Sequence, residues 1–230
     1  MDLGLVRLER ETIQERIYVA LREKLMRGAY APGQKMKSAE LAMAFGTSAM
    51  PVREALSRLT AERALEALPN RSVRVPTLSK DALQELKEAR FAVEGLAVTR
   101  AAKNMDSQTL DKLRRTIDAQ SETDAEMSAE GSAEQNRAFH FAIYGQARSV
   151  VLLPIIESLW LQFGPYLRAA SDHFDGREGR GINFHTKIVD ALARQDAEAA
   201  RASLEEDIGR SFDIVMSADM IWNEVAKASA

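Results

Sequence analysis

The chain of 230 residues contains no cysteine, six prolines, twelve glycines and only 6% aromatic residues. Without thiols there can be no disulfide scaffold, no thiolate catalysis and no cysteine-ligated metal, and a reducing compartment is the natural setting. So little glycine and proline excludes collagen-like and low-complexity chains. It also argues against an all-β domain, which needs frequent turn residues. The longest wholly apolar run is the seven residues Val150–Ile156, whereas a membrane-spanning helix needs about 18. The opening MDLGLVRLERET carries acids early and lacks the apolar stretch of a signal peptide. With 46% hydrophobic and 28% charged residues, the chain can still bury a real core. These features predict a soluble, cytoplasmic, mainly α protein with no membrane partner.

The net charge of −3 divides unevenly. Residues 1–78 hold 13 Lys and Arg against 9 Asp and Glu, and residues 79–230 hold 18 against 25. A small basic part joined to a larger acidic one suggests that only the first meets a polyanion. The expected division is a DNA-binding unit over 1–78 and a helical effector-binding and dimerisation unit over 79–230.

In the basic part, Ile13, Ile17, Leu21 and Leu25 recur every four residues behind the potential cap Thr12, predicting a helix that stops near Gly28. Ala31-Pro32-Gly33 is turn chemistry. A second helix is expected from Ser38, burying Leu41, Ala42 and Phe45 and closed by Gly46. Thr47-Ser48 then caps a third helix with Pro51 in its first turn. Its apolar stripe is Val52, Ala55, Leu56 and Leu59, and its opposite face shows Met50, Arg53, Glu54 and Ser57. Two helices joined by a short glycine-containing turn form a helix-turn-helix candidate whose last helix reads DNA. The strand-like runs 65–68 and 72–75 flank Pro69-Asn70-Arg71 and predict a hairpin wing. From the wing, Arg71 and Arg74 could reach phosphates or the minor groove.

The run GAYAPGQKMKSAELAMAFGTSAMPVREALSRLTAERALEAL resembles the DNA-binding domain of GntR-family transcription regulators, above all in PVREAL. The resemblance spans about residues 10–76. It implies a double-stranded DNA operator contacted by Arg53, with Ser48, Met50, Ser57, Arg71 and Arg74 as further candidates. Three positions depart from the family pattern. Ala39 and Ala49 stand where arginine is usual, and Ser72 stands where the wing usually has glycine. A good bidentate base contact is worth about 1–3 kcal/mol of discrimination, so these departures imply either weaker binding or a different half-site.

From Asp81 onward only helical periodicity is visible. Helices are expected over 81–102, 107–124, 133–146, 150–170, 182–194 and 196–220, with breaks at 128–132 and 172–181, forming an antiparallel six-helix bundle. Expected buried positions include Leu83, Leu86, Val93, Ala97, Leu110, Leu113 and Ile117. Polar residues fall on stripes that should be apolar. His140 follows Asn136 by one turn and sits among Phe139, Phe141 and Ile143, and His185 precedes Ile188, Val189 and Leu192. Asp207 lies on the stripe of Ala200, Leu204 and Ile208. An acid on an inner stripe is seldom buried unless paired or bound to metal.

The segments EARFAVEGLAVTRAA, NRAFH and HTKIVDALARQDAEAARASLEED resemble the FCD effector domain of FadR-type GntR regulators, and six helices suit its VanR-like subgroup. That resemblance implies a divalent metal held by Asn136, His140, His185 and, in place of a third histidine, Asp207. Such a donor set suits Zn, Mn, Ni or Fe. The other reading is a metal-free hydrogen-bonded network. The resemblance also directs Arg90 into an effector cavity, where a guanidinium would hold a carboxylate; an i, i+4 pair with Glu94 is the plainer alternative. Trp160 and Tyr166 are candidate cavity residues on a stripe with Phe163, and His173 is expected to face solvent.

The expectation is a homodimeric, one-component transcription regulator that answers a small carboxylate, with repression and activation both left open by the sequence. Two alternatives stand beside it: a two-histidine, one-carboxylate enzyme acting on an organic acid, and a metal-independent regulator sensing an acyl ligand.

Overall fold

The computed structural model describes residues 12–69, 72–123, 129–171, 182–218 and 222. Helix α1 (Ile13–Met26) starts where the Thr12 hydroxyl accepts the Glu15 amide. It packs on α3 (Ala49–Ala61) through Ile17, Leu21 and Leu25, all buried. The Tyr18 hydroxyl donates to the Glu62 carboxylate at 2.8 Å, and the Arg58 guanidinium lies 3.6 Å over the Tyr18 ring. Between them lies α2 (Ser38–Phe45), ended by Gly46 at φ 63° and ψ 36°. That left-handed position is costly for a residue with a Cβ, so glycine sets the angle between α2 and α3.

Helix α2 buries only Ala42. Leu41 is half-buried and Phe45 is 37% exposed, contrary to the sequence expectation for both. An eight-residue helix lying at the surface has a core-facing stripe too narrow for three large side chains.

The wing is a three-stranded sheet of order β1-β3-β2, from β1 (Lys35–Met36), β2 (Glu66–Ala67) and β3 (Val73–Arg74). The expected hairpin is β2 with β3, in register Glu66↔Arg74 and Ala67↔Val73. Strand β1 was not anticipated. It pairs antiparallel to β3, and the pairing extends through Gly33 N to Val75 O at 2.9 Å and Val75 N to Gln34 O at 3.0 Å.

Six helices follow: α4 (Lys80–Asn104), α5 (Ser107–Thr123), α6 (Ala129–Gly145), α7 (Leu152–Ser171), α8 (Ile182–Ala193) and α9 (Ala197–Ser217). Ser79 caps α4 and Asp196 caps α9 through their side-chain oxygens. Helix α6 starts at Ala129, inside the expected break, while 124–128 and 172–181 lie outside the described residues. Helices α4, α7 and α9 enclose the core, with Leu83, Ala97, Phe163, Leu204 and Phe212 buried between them. Val93, Leu110 and Ile117 are only half-buried, at the edges of their stripes. No helix among the described residues is long and apolar enough to cross a membrane.

The two parts touch where α1 and its C-terminal cap meet α7 and α6. Arg22 pairs with Glu157 at 2.7 Å and Arg27 with Glu134 at 2.8 Å. At Gly164 the backbones come so close that a Cβ would collide with the Leu25 carbonyl oxygen and lie 2.8 Å from the Met26 Cα. Only glycine allows this approach.

Candidate functional site

Among the described residues of the helical part, the buried acids, histidines and arginine are Arg90, Glu94, His140, His185 and Asp207. They come from α4, α6, α8 and α9, so the bundle itself brings them together. His140 and His185 are 1% exposed and Asp207 is 7% exposed, and their potential ligand atoms all lie within 4.8 Å of one another. His140 Nε2 donates to Asp207 Oδ2 at 3.0 Å, and His185 Nε2 lies 3.9 Å from the same oxygen. Asn136 Oδ1 is 3.2 Å from His185 Nε2, so all four expected metal-ligating residues meet. Phe139 stacks on the His185 ring at 3.9 Å and holds it in place.

The electrostatics suit a cation. Burial, with the nearby His140, pushes the His185 imidazole down to about 4 despite the opposing pull of Asp207, so His185 is neutral near pH 7. Burial works against an ionised Asp207, but the hydrogen bond from His140, the neighbouring imidazoles and the Arg90 guanidinium hold it below the usual carboxylate value. Neutral imidazoles and an ionised carboxylate are the states that bind a divalent ion. The nitrogens, the carboxylate and an amide oxygen therefore fit such an ion, and the buried acid is already paired, as inner-stripe acids must be.

Arg90 lies beside this cluster, 3% exposed, with Nε 2.5 Å and Nη2 3.1 Å from the Glu94 oxygens. The i, i+4 pair with Glu94 is thus formed. The guanidinium also lies 4.5 Å from the Trp160 ring centre and 5.1 Å from that of Phe163. Trp160 Nε1 donates to Glu94 Oε2 at 3.2 Å, and its ring lies 5.5 Å from that of His140. Tyr144 is a member that sequence reasoning missed. It donates to Glu94 and lies 3.3 Å from His140 Nδ1. Its spacing, one turn after His140, was the available signal. Tyr166 lies elsewhere: its hydroxyl accepts the Leu78 amide at 2.7 Å and donates to the Pro76 carbonyl at 3.4 Å, on the segment joining the two parts.

In the N-terminal part, Ser48, Met50, Arg53 and Ser57 are all exposed along one side of α3. Arg53 and Ser57 line a groove of about 480 Å³ between α3 and the wing, together with Ser38, Ala67 and Ser72. Arg74 forms an ion pair with Glu66 across the wing strands. Arg71 and His173 lie outside the described residues.

A helix-turn-helix with a wing, joined to a six-helix bundle holding a buried polar centre, defines a class of DNA-binding transcription regulators. Residues 13–75 match the bacterial regulatory proteins of the gntR family, and residues 85–210 match the FCD domain. The chain belongs to the GntR family and carries an FCD domain. It is 32% identical to the HTH-type transcriptional regulator McbR of Escherichia coli K12 over 85% of this chain and 89% of that protein. It is 27% identical to the HTH-type transcriptional repressor GlaR of the same strain, over 80% of this chain and 87% of that protein. The solved structure of E. coli McbR/YncC superimposes with a TM-score of 0.84 at 29% identity, covering 90% of this chain and 98% of that one. The fold class and family expected from the sequence are therefore correct. The family and relatives are those of a transcription regulator and not of an enzyme, and they do not favour the metalloenzyme alternative.

Proposed function

We propose that the chain is a homodimeric cytoplasmic regulator, a repressor, that binds a palindromic operator and releases it in response to a small carboxylate. The carrying observation is the convergence of His140, His185 and Asp207, with Asn136 beside them, in the interior of the effector domain. These four residues would hold a divalent ion, with Zn, Mn, Ni and Fe all suited to the donor set. Such an ion would supply a Lewis-acidic anchor for a carboxylate oxygen. Arg90 supplies a second positive charge next to it, and Trp160 forms an apolar wall.

On the DNA side, Arg53 would contact base edges and Ser48, Met50 and Ser57 would complete the reading face, with Arg71 and Arg74 near phosphates. A two-fold dimer presents two such helices to successive major grooves. The effector acts by binding unequally to the two arrangements of the dimer.

Selection of operator sites from a random DNA pool, followed by elemental analysis of the purified protein, tests both halves. The expected results are a palindromic site and about one divalent ion per chain. Failure to select any site would contradict the DNA-reading assignment. A chelator-stripped protein that keeps full effector response would instead favour a metal-independent acyl sensor.

A further inference from the structure

The first turn of α3 offers DNA an apolar surface. Ala49, Met50 and Pro51 follow the exposed Ser48, and Met50 is 57% exposed although its side chain is large and hydrophobic. Ala49 and Pro51 carry no polar side-chain atom, and the Met50 thioether is only a weak acceptor. Of the two arginines on α3, Arg58 is engaged elsewhere: its guanidinium meets Glu15 at 2.8 Å and covers the Tyr18 ring at 3.6 Å. Arg53 is left to the reading side, one turn after Met50 and exposed with it.

A helix docked in the major groove presents its first residues to the base edges. There the base pairs display hydrogen-bonding atoms and one apolar group, the C5-methyl of thymine. A turn of alanine, methionine and proline is a poor match for the first kind of feature and a good match for the second. Methionine suits the contact because an unbranched, polarisable side chain adapts its shape to a small apolar knob. Met50 and Arg53 are separated by roughly 4.5 Å along the helix axis, against a base-pair rise of about 3.4 Å. Their side chains therefore reach the same or adjoining base pairs.

We propose that Met50 is a specificity-determining residue that reads the C5-methyl group of a thymine, beside the base contacted by Arg53. Each operator half-site then holds a T·A pair fixed by apolar contact next to a pair fixed by hydrogen bonding. The proposal rests on the DNA-reading assignment made above and is independent of the buried centre of the helical part. A Met50 that was only an exposed surface residue would leave binding indifferent to that methyl group.

The test uses the full-length protein and a site that it selects from a random DNA pool. In one half-site each thymine is replaced singly by deoxyuridine, which removes the C5-methyl and keeps every hydrogen-bonding atom. Fluorescence anisotropy should reveal a thymine whose replacement weakens wild-type binding roughly three- to five-fold, the worth of one buried methyl group. Met50→Ala should bind the unmodified site more weakly by a similar factor and should lose nothing further with deoxyuridine at that position. Met50→Leu, still apolar, should keep the sensitivity. Alanine and leucine are both good helix formers at this exposed position, so neither variant should change the melting temperature. The proposal is overturned if no replacement weakens wild type, or if the sensitive thymine stays equally sensitive in Met50→Ala. Failure to select any site would instead defeat the DNA-reading assignment itself.

Discussion

Arg53 is exposed in the middle of the α3 reading face, on the rim of the groove between α3 and the wing. With alanine at 39 and 49, where the family resemblance expects arginine, the proposed reading would place more of the discrimination on Arg53. Arg53→Ala should weaken binding to a selected operator by about 1–3 kcal/mol, roughly 5- to 150-fold, without changing the melting temperature. Fluorescence anisotropy reads the loss, and an unchanged affinity would remove Arg53 from the base contacts. The tyrosines supply a second prediction at this scale. All four have hydroxyls held above the ordinary phenol value, with burial the leading cause in each. Tyr18 and Tyr166 are pushed up to about 12. A value raised in the folded state gives stability that is complete below about pH 10 and lost as pH rises towards 12. Phenolate absorbance should therefore stay near zero at about pH 10, where free tyrosine is half ionised, and should rise together with unfolding. Half-developed absorbance in a protein of native circular dichroism would contradict this.

Among the elements, α7 has a double role. Trp160 and Phe163 flank Arg90 in the buried centre, while Gly164 and Tyr166 hold α1 and the segment before α4. Gly164→Ala would force the α1 and α7 backbones apart and should cost about 1–3 kcal/mol or more in stability. At Gly145 an added Cβ meets nothing within 4 Å, so Gly145→Ala should be neutral or mildly stabilising. Thermal denaturation of the two variants side by side measures the contrast, and equal melting temperatures would refute the close approach. Much of this level was legible in the sequence because long helices repeat their pattern many times. The cap Thr12, the αL Gly46 and the α4–α9 order all follow from such signals. Strand β1 was not legible, because two residues carry too little periodicity. The helical start at Ala129 and the exposure of Phe45 depend on tertiary packing rather than local pattern.

For the molecule as a whole, the indifferent net charge of −3 resolves into a basic N-terminal part and an acidic helical part. The sequence showed which polar residues lay on inner stripes, and His140, His185, Asp207 and Asn136 do meet. It could not show that Tyr166 turns its hydroxyl to Pro76 and Leu78, because helix spacing fixes a face and not the neighbour it meets. With no cysteine in the chain, any ion must be held by imidazole, carboxylate and amide groups. The most direct test is a calorimetric titration of Zn(II) into the chelator-stripped protein, repeated with His140→Ala and His185→Ala. The account predicts one ion per chain for wild type and loss of that binding in each variant. No binding to wild type, or binding that survives both substitutions, would contradict it.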